Sequence, residues 1–132
     1  MKIAISAAGD TLDAQVDPRF GRCPYFIVAD SETMNFEAIP NMAAGATGGA
    51  GIQAAQTIAS KGVKAIITGN VGPNAFQTLS AAGIEVVVGA SGIIREAIEK
   101  YKNGELNRTG TPTVQGHYGM GMAGGRGRRR RR

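Results

Sequence analysis

The sequence predicts an α/β domain: a five-stranded mixed sheet of order 3-2-1-4-5, strand two antiparallel, with helices on both faces. Three observations carry this. Three short apolar, strand-like runs fall within the first forty residues. Beyond Gly48, apolar residues at helical spacing take turns with short apolar runs. Glycines then follow each helical stretch at Gly62, Gly83 and Gly104.

Lys2-Ile3-Ala4-Ile5-Ser6 reads as the first strand, with Ile3 and Ile5 on one face. A long connection from Ala7 to Arg22 follows, carrying three aspartates and one proline. Pro24 to Ala29 reads as a second strand, Asp30-Ser31-Glu32 as a turn, and Asn35 to Pro40 as a third strand. So short a link makes strands two and three an antiparallel hairpin.

Gly48-Gly49-Ala50-Gly51 opens a helix with Ile52, Ala55, Ile58 and Ala59 inward, closed by Gly62. Val63 to Thr68 is a fourth strand, and Pro73 starts a helix carrying Phe76 and Leu79. Ile84 to Val88 is the fifth strand. Ser91 is placed to cap a last helix in which Ile94, Ala97, Ile98 and Tyr101 share a face. Strands four and five are each reached through a helix, so right-handed crossovers make them parallel. The resulting order, βββαβαβα, is the ribonuclease-H-like three-layer arrangement.

A chain of 132 residues has room for one domain. The reading places it at residues 1–107, followed by a disordered Gly-, Met- and Arg-rich tail over 108–132. No apolar stretch approaches the ~20 residues that span a bilayer, and no segment resembles a signal peptide. A cytoplasmic protein without membrane partners is expected. The charge of +5 is deceptive, because six of the fifteen basic residues are Arg126 and Arg128 to Arg132. The remainder sets nine basic residues against ten acidic ones, leaving no basic stripe for a nucleic-acid reader. Nucleic acid is expected only as a nonspecific partner of the arginine tail.

Cys23 is the only cysteine, so an internal disulfide and a four-cysteine zinc or iron–sulfur site within one chain are both excluded. Cys23 also lacks a histidine partner for nucleophilic catalysis, since the only histidine is His117 in the tail. A two-metal nuclease needs carboxylates converging from strands and the first helix. The first strand and Ala50 to Lys61 hold none, and Asp10, Asp13 and Asp17 lie on one loop. The chain is therefore expected to bind rather than catalyse.

Two regions are candidates for that binding. The long loop ends in Asp17-Pro18-Arg19-Phe20-Gly21-Arg22-Cys23. It either presents Arg19 and Arg22 to an anionic ligand or uses Asp17 to pair with an arginine and fix the turn. Gly48, Gly49 and Gly51 precede one helix, and Gly69, Asn70 and Gly72 the next. Both helix starts lie at C-terminal strand ends, where open α/β sheets bind ligands. Close packing alone also accounts for the first of these glycine groups.

Asp17 to Phe26, Gly48 to Ala55, Ile67 to Ala75 and Ala82 to Val86 together resemble the dinitrogenase iron–molybdenum cofactor biosynthesis family. That group includes NifX, NifY and the C-terminal domain of NifB, and the match runs through nearly all of residues 1–106. The resemblance implies a ribonuclease-H-like domain that binds an iron–sulfur, iron–molybdenum or related metal–sulfur cluster and passes it on. One branch takes a molybdenum–copper sulfide cluster. It further implies a Mrp/MinD-type P-loop ATPase or cofactor-assembly proteins as partners.

Some members ligate the cluster through a histidine or cysteine near the glycine-rich loop, but positions 43–49 here read Ala-Ala-Gly-Ala-Thr-Gly-Gly. The expected pocket is Arg19, Arg22, Cys23, Gly48, Gly49, Gly51, Gly69, Asn70 and Gly72. His117, Met120 and Met122 are candidate soft-metal ligands in the tail. The alternatives are a regulatory protein-interaction module that holds no metal, or nucleic-acid binding through the arginine tail.

Overall fold

The structure is a computed structural model and describes residues 1–110. Its elements are β1 (Lys2–Ala7), β2 (Tyr25–Asp30), β3 (Phe36–Pro40), α1 (Ala50–Ser60), β4 (Ala65–Ile67), α2 (Pro73–Ala81), β5 (Glu85–Val88), α3 (Ile94–Lys102) and β6 (Asn107–Arg108). They form one sheet of order β3-β2-β1-β4-β5-β6. β2 runs antiparallel to both β1 and β3, whereas β1, β4 and β5 are mutually parallel.

Among the described residues the sheet has six strands, not five. β6 pairs antiparallel with β5, setting Arg108 opposite Val87 and Asn107 opposite Val88. Both its residues are exposed, so no buried face left an apolar pattern to read. The domain boundary expected after residue 107 falls inside this strand, and the tail beyond 110 lies outside the described residues.

Alternation along the strands builds two cores. Ile3, Ile5, Ile27, Ile67 and Val87 pack with Ile94, Ala97 and Ile98 of α3. Ala4, Val28, Ile66 and Val86 face the other way, against Ala54, Ala55 and Ile58 of α1 and Ala75 and Leu79 of α2. Ile58 and Leu79 are fully buried, and truncating either to alanine costs about 2–5 kcal/mol. The result is three layers, with two helices on one face and one on the other.

Gly62, Gly83 and Gly104, at φ of 73°, 76° and 73°, end the three helices as the sequence predicted. Ser91 does not cap α3. That helix starts after Ile93, with no side-chain cap. Its first amides instead donate to the long loop, Ile94 N to the Ala14 carbonyl (2.9 Å) and Arg95 N to the Leu12 carbonyl (2.9 Å). N–H groups left open at a helix start donate to any nearby carbonyl, and here the loop supplies the acceptors.

Candidate functional site

The long loop between β1 and β2 is tied down along its length. Val16 N donates to the Gly92 carbonyl (2.8 Å), Asp17 N to the Ser6 carbonyl (2.9 Å), and Asn70 N to the Pro18 carbonyl (2.9 Å). At the end of β1 the buried Ser6 hydroxyl lies 2.6 Å from the Asp17 carbonyl and 2.7 Å from Thr68 Oγ1. Ser6 and Thr68 were not among the expected site residues. Small hydroxyls inside apolar strands look like ordinary strand residues until the loop is seen lying across them.

Glycines set how closely the loop and helices approach. A Cβ on Gly69 would sit 2.6 Å from Pro18 Cα, and one on Gly21 would sit 3.0 Å from Gly51 N. A Cβ on Gly51 would in turn lie 3.2 Å from Ala75 Cβ, where α1 crosses α2. The loop thus meets the start of α1 and the segment after β4 backbone to backbone, and α1 meets α2 at the Ala75 methyl. Phe20 is buried behind this junction, its ring 5.2 Å from that of Phe26.

The junction leaves a cleft of about 400 Å³ beyond the C-terminal ends of β1 and β4. Its walls are Pro18 to Gly21, Gly49 to Ile52 at the start of α1, Asn70, and Gly72 to Ala75 at the start of α2. Neither helix has a side-chain N-cap. Intrahelical bonding begins with Gln53 N on Gly49 O and Phe76 N on Gly72 O. The amides of Ala50, Gly51 and Ile52, with those of Asn74 and Ala75, are therefore the open donors of two helix starts. Both positive dipole ends meet the same space.

Of the expected residues, Arg19, Gly49, Gly51, Asn70 and Gly72 line this cleft. Gly48 and Gly69 do not line it: nothing lies within 4 Å of where a Gly48 Cβ would be, and Gly69 packs against the far side of Pro18. Arg19 makes a two-pronged pair with Asp17, Nε on Oδ1 at 3.0 Å and Nη2 on Oδ2 at 2.9 Å. The turn-fixing pair considered from the sequence is thus present, and Arg19 lines the cleft as well. Hydrogen bonds from Arg19 hold the Asp17 carboxyl below its ordinary range against the opposing effect of burial.

Arg22 and Cys23 do not line the cleft. Arg22 Nη1 donates to the carbonyls of Ala44 (2.9 Å) and Ala46 (2.6 Å), strapping down the approach to α1. Cys23 is fully buried, its thiol on the Phe20 carbonyl at 3.3 Å, and burial pushes it up to about 12. Asn41 closes over it, donating to the carbonyls of Gly21 (3.1 Å) and Cys23 (2.8 Å). The enclosed thiol thus stays protonated and does not face the cleft. His117, Met120 and Met122 lie outside the described residues.

Asn74 is the lining residue with side-chain donors that the expected set omitted. Its place in the Gly72-Pro73-Asn74 helix start was the available signal. Among the described residues, no three His, Cys, Asp or Glu side chains gather to hold a metal ion, and no helix is long and apolar enough to cross a membrane.

Comparison with known proteins agrees with this architecture. The apo form of the orange protein from Desulfovibrio gigas is 42% identical, with a TM-score of 0.82 over 85% of this chain and 95% of its own. The NMR structure of a protein assigned to NifB from Thermotoga is 41% identical, with a TM-score of 0.71 over 81% of this chain and 91% of its own. A protein from Methanocaldococcus jannaschii assigned as a dinitrogenase shares the fold at 21% identity and a TM-score of 0.62, over 85% of this chain and 97% of its own. No curated protein matches. Residues 1–104 match the family model described as dinitrogenase iron-molybdenum cofactor, and the chain belongs to that family.

Proposed function

We propose that the chain is a non-enzymatic carrier of an anionic metal–sulfur cluster, held between the Pro18–Gly21 loop and the starts of α1 and α2. The observation that carries this reading is the convergence of two uncapped helix N-termini and the Arg19 guanidinium on one cleft. Such donors suit an anion. The donor set also narrows the cargo. With Cys23 enclosed, the described residues offer hydrogen bonds and dipoles, not thiolate ligands. That fits a cluster arriving with its own sulfides, in keeping with an iron–molybdenum or molybdenum–copper sulfide cargo. It does not fit one assembled on protein cysteines.

We read the layered sheet as ribonuclease-H-like, and a Mrp/MinD-type ATPase or cofactor-assembly proteins as the partners that load or unload it. Both readings rest on family resemblance. Anaerobic reconstitution with iron, sulfide and molybdate, followed by visible absorption and metal analysis, tests the carrier role. Wild type is expected to retain colour and metal, and Arg19→Ala to lose most of both. Arg22→Ala is expected to retain more than Arg19→Ala, because Arg22 acts only through the 44–46 strap. No uptake by wild type, or equal uptake by Arg19→Ala, counts against the cleft as carrier site.

A further inference from the structure

The charge in the cleft is already matched. Arg19 is the only charged side chain among the described lining residues, and Asp17 sits buried directly behind it. The Asp17 carboxylate takes three hydrogen bonds from that one residue: Arg19 N on Oδ1 at 2.9 Å, Nε on Oδ1 at 3.0 Å and Nη2 on Oδ2 at 2.9 Å. Arg19 keeps its Nη1 edge for a ligand, yet the pair adds almost no net charge. The rest of the wall is apolar (Pro18, Phe20, Ala50, Ile52, Pro73) or neutral, as at Asn70 and Asn74. Phosphate-binding loops place a lysine beside the same kind of helix start; among the described lining residues there is no counterpart.

An anion entering this space gives up water, and the loss grows with its charge density. A compact oxyanion gains only amide dipoles and one already paired guanidinium in return. A larger sulfur-bearing anion, with its charge spread over soft atoms, loses less water and gains contact with the apolar wall. We infer that Asp17 is a specificity-determining residue: by neutralising Arg19 it makes the cleft refuse compact oxyanions and admit diffuse, sulfur-ligated ones. This rests on the carrier reading for the natural cargo, while the refusal of oxyanions is measurable without it.

The test is an anaerobic NMR titration of the full chain, following the amides of Gly51, Ile52 and Ala75 so that binding at the arginine tail does not register. Tetrathiomolybdate, molybdate and inorganic phosphate are the probes. Wild type is expected to respond to tetrathiomolybdate and to neither oxyanion in the same concentration range. Asp17→Asn, which frees the guanidinium charge, is expected to gain about tenfold or more in affinity for phosphate and molybdate. An Asp17→Asn protein with unchanged oxyanion affinity overturns the inference, as does wild type taking phosphate as tightly as tetrathiomolybdate.

Asn74→Arg, at an exposed rim position, supplies an unmatched charge without disturbing Asp17. It is expected to show the same gain even if Asp17→Asn does not fold, and no gain there overturns the inference too. If wild type ignores tetrathiomolybdate while Asp17→Asn gains phosphate, the carrier reading fails and the role of Asp17 stands.

Discussion

Gly69→Ala tests how the cleft is built. The added methyl would lie 2.6 Å from Pro18 Cα, 2.7 Å from Pro18 Cβ and 3.1 Å from the Pro18 carbonyl oxygen. Carbon–carbon contacts are comfortable near 3.5–4.0 Å, so Pro18 must retreat by roughly 1 Å. Two of the three close atoms belong to backbone, and the proline ring cannot rotate aside. The Asn70 N to Pro18 O bond of 2.9 Å lies on the same segment and stretches with the retreat. Overpacking together with a weakened hydrogen bond comes to about 2–4 kcal/mol.

For a domain of this size that lowers Tm by roughly 8–25 °C. Gly48→Ala is the control, because nothing lies within 4 Å of its Cβ position; it should stay within about 0.5 kcal/mol of wild type. Calorimetry on the two variants decides the matter. If Gly69→Ala melts with Gly48→Ala, the loop is not held at contact distance and the cleft described above is wrong.

Further expectations concern the groups under the loop. Ser6→Ala strips the Asp17 carbonyl and Thr68 Oγ1 of a buried partner and should cost about 1–3 kcal/mol in urea unfolding; a loss under about 0.5 kcal/mol would mean the hydroxyl pair does not anchor the loop. Cys23 has an ordinary value of 9.0 and is pushed by burial up to about 12 in the folded chain. Between those values the unfolded chain has released the proton and the folded chain has not. Its contribution to stability is therefore complete below about pH 9 and is lost as pH rises toward about 12. Denaturation midpoints across that window should fall for wild type and fall less for Cys23→Ser. Parallel slopes would show that the thiol is not enclosed.

Most of the layer architecture was legible in the sequence because the signals were local. The Asp30 turn made the β2–β3 hairpin visible, and apolar runs alternating with glycine-terminated helices marked the parallel half. What escaped was decided by distant partners. Ser91 looked like a cap, but carbonyls of Leu12 and Ala14 meet the first amides of α3. β6 has two exposed polar residues, and only its pairing with β5 makes it a strand.

The site divided in the same way. Both helix starts were readable from their glycines, and the aspartate–arginine pair was one of two open readings. Arg22 faces the carbonyls of residues 44 and 46, and Cys23 is sealed beneath Asn41. Neither orientation follows from the spacing of the Arg-Cys motif. Glycines that read as anion cradles divide by location: Gly49 borders the cleft, while Gly69 and Gly51 also mark where backbones touch.

The central claim is that metal–sulfur cargo sits on the open amides of two helix starts. It is tested most directly by comparing amide spectra of the chain before and after anaerobic loading with a diamagnetic molybdenum–copper sulfide cluster. The expected result is large shifts at Ala50, Gly51, Ile52, Asn74 and Ala75 together with the Arg19 side chain, at one cluster per chain. Metal retained while those signals stay still, with the shifts falling elsewhere, would contradict it.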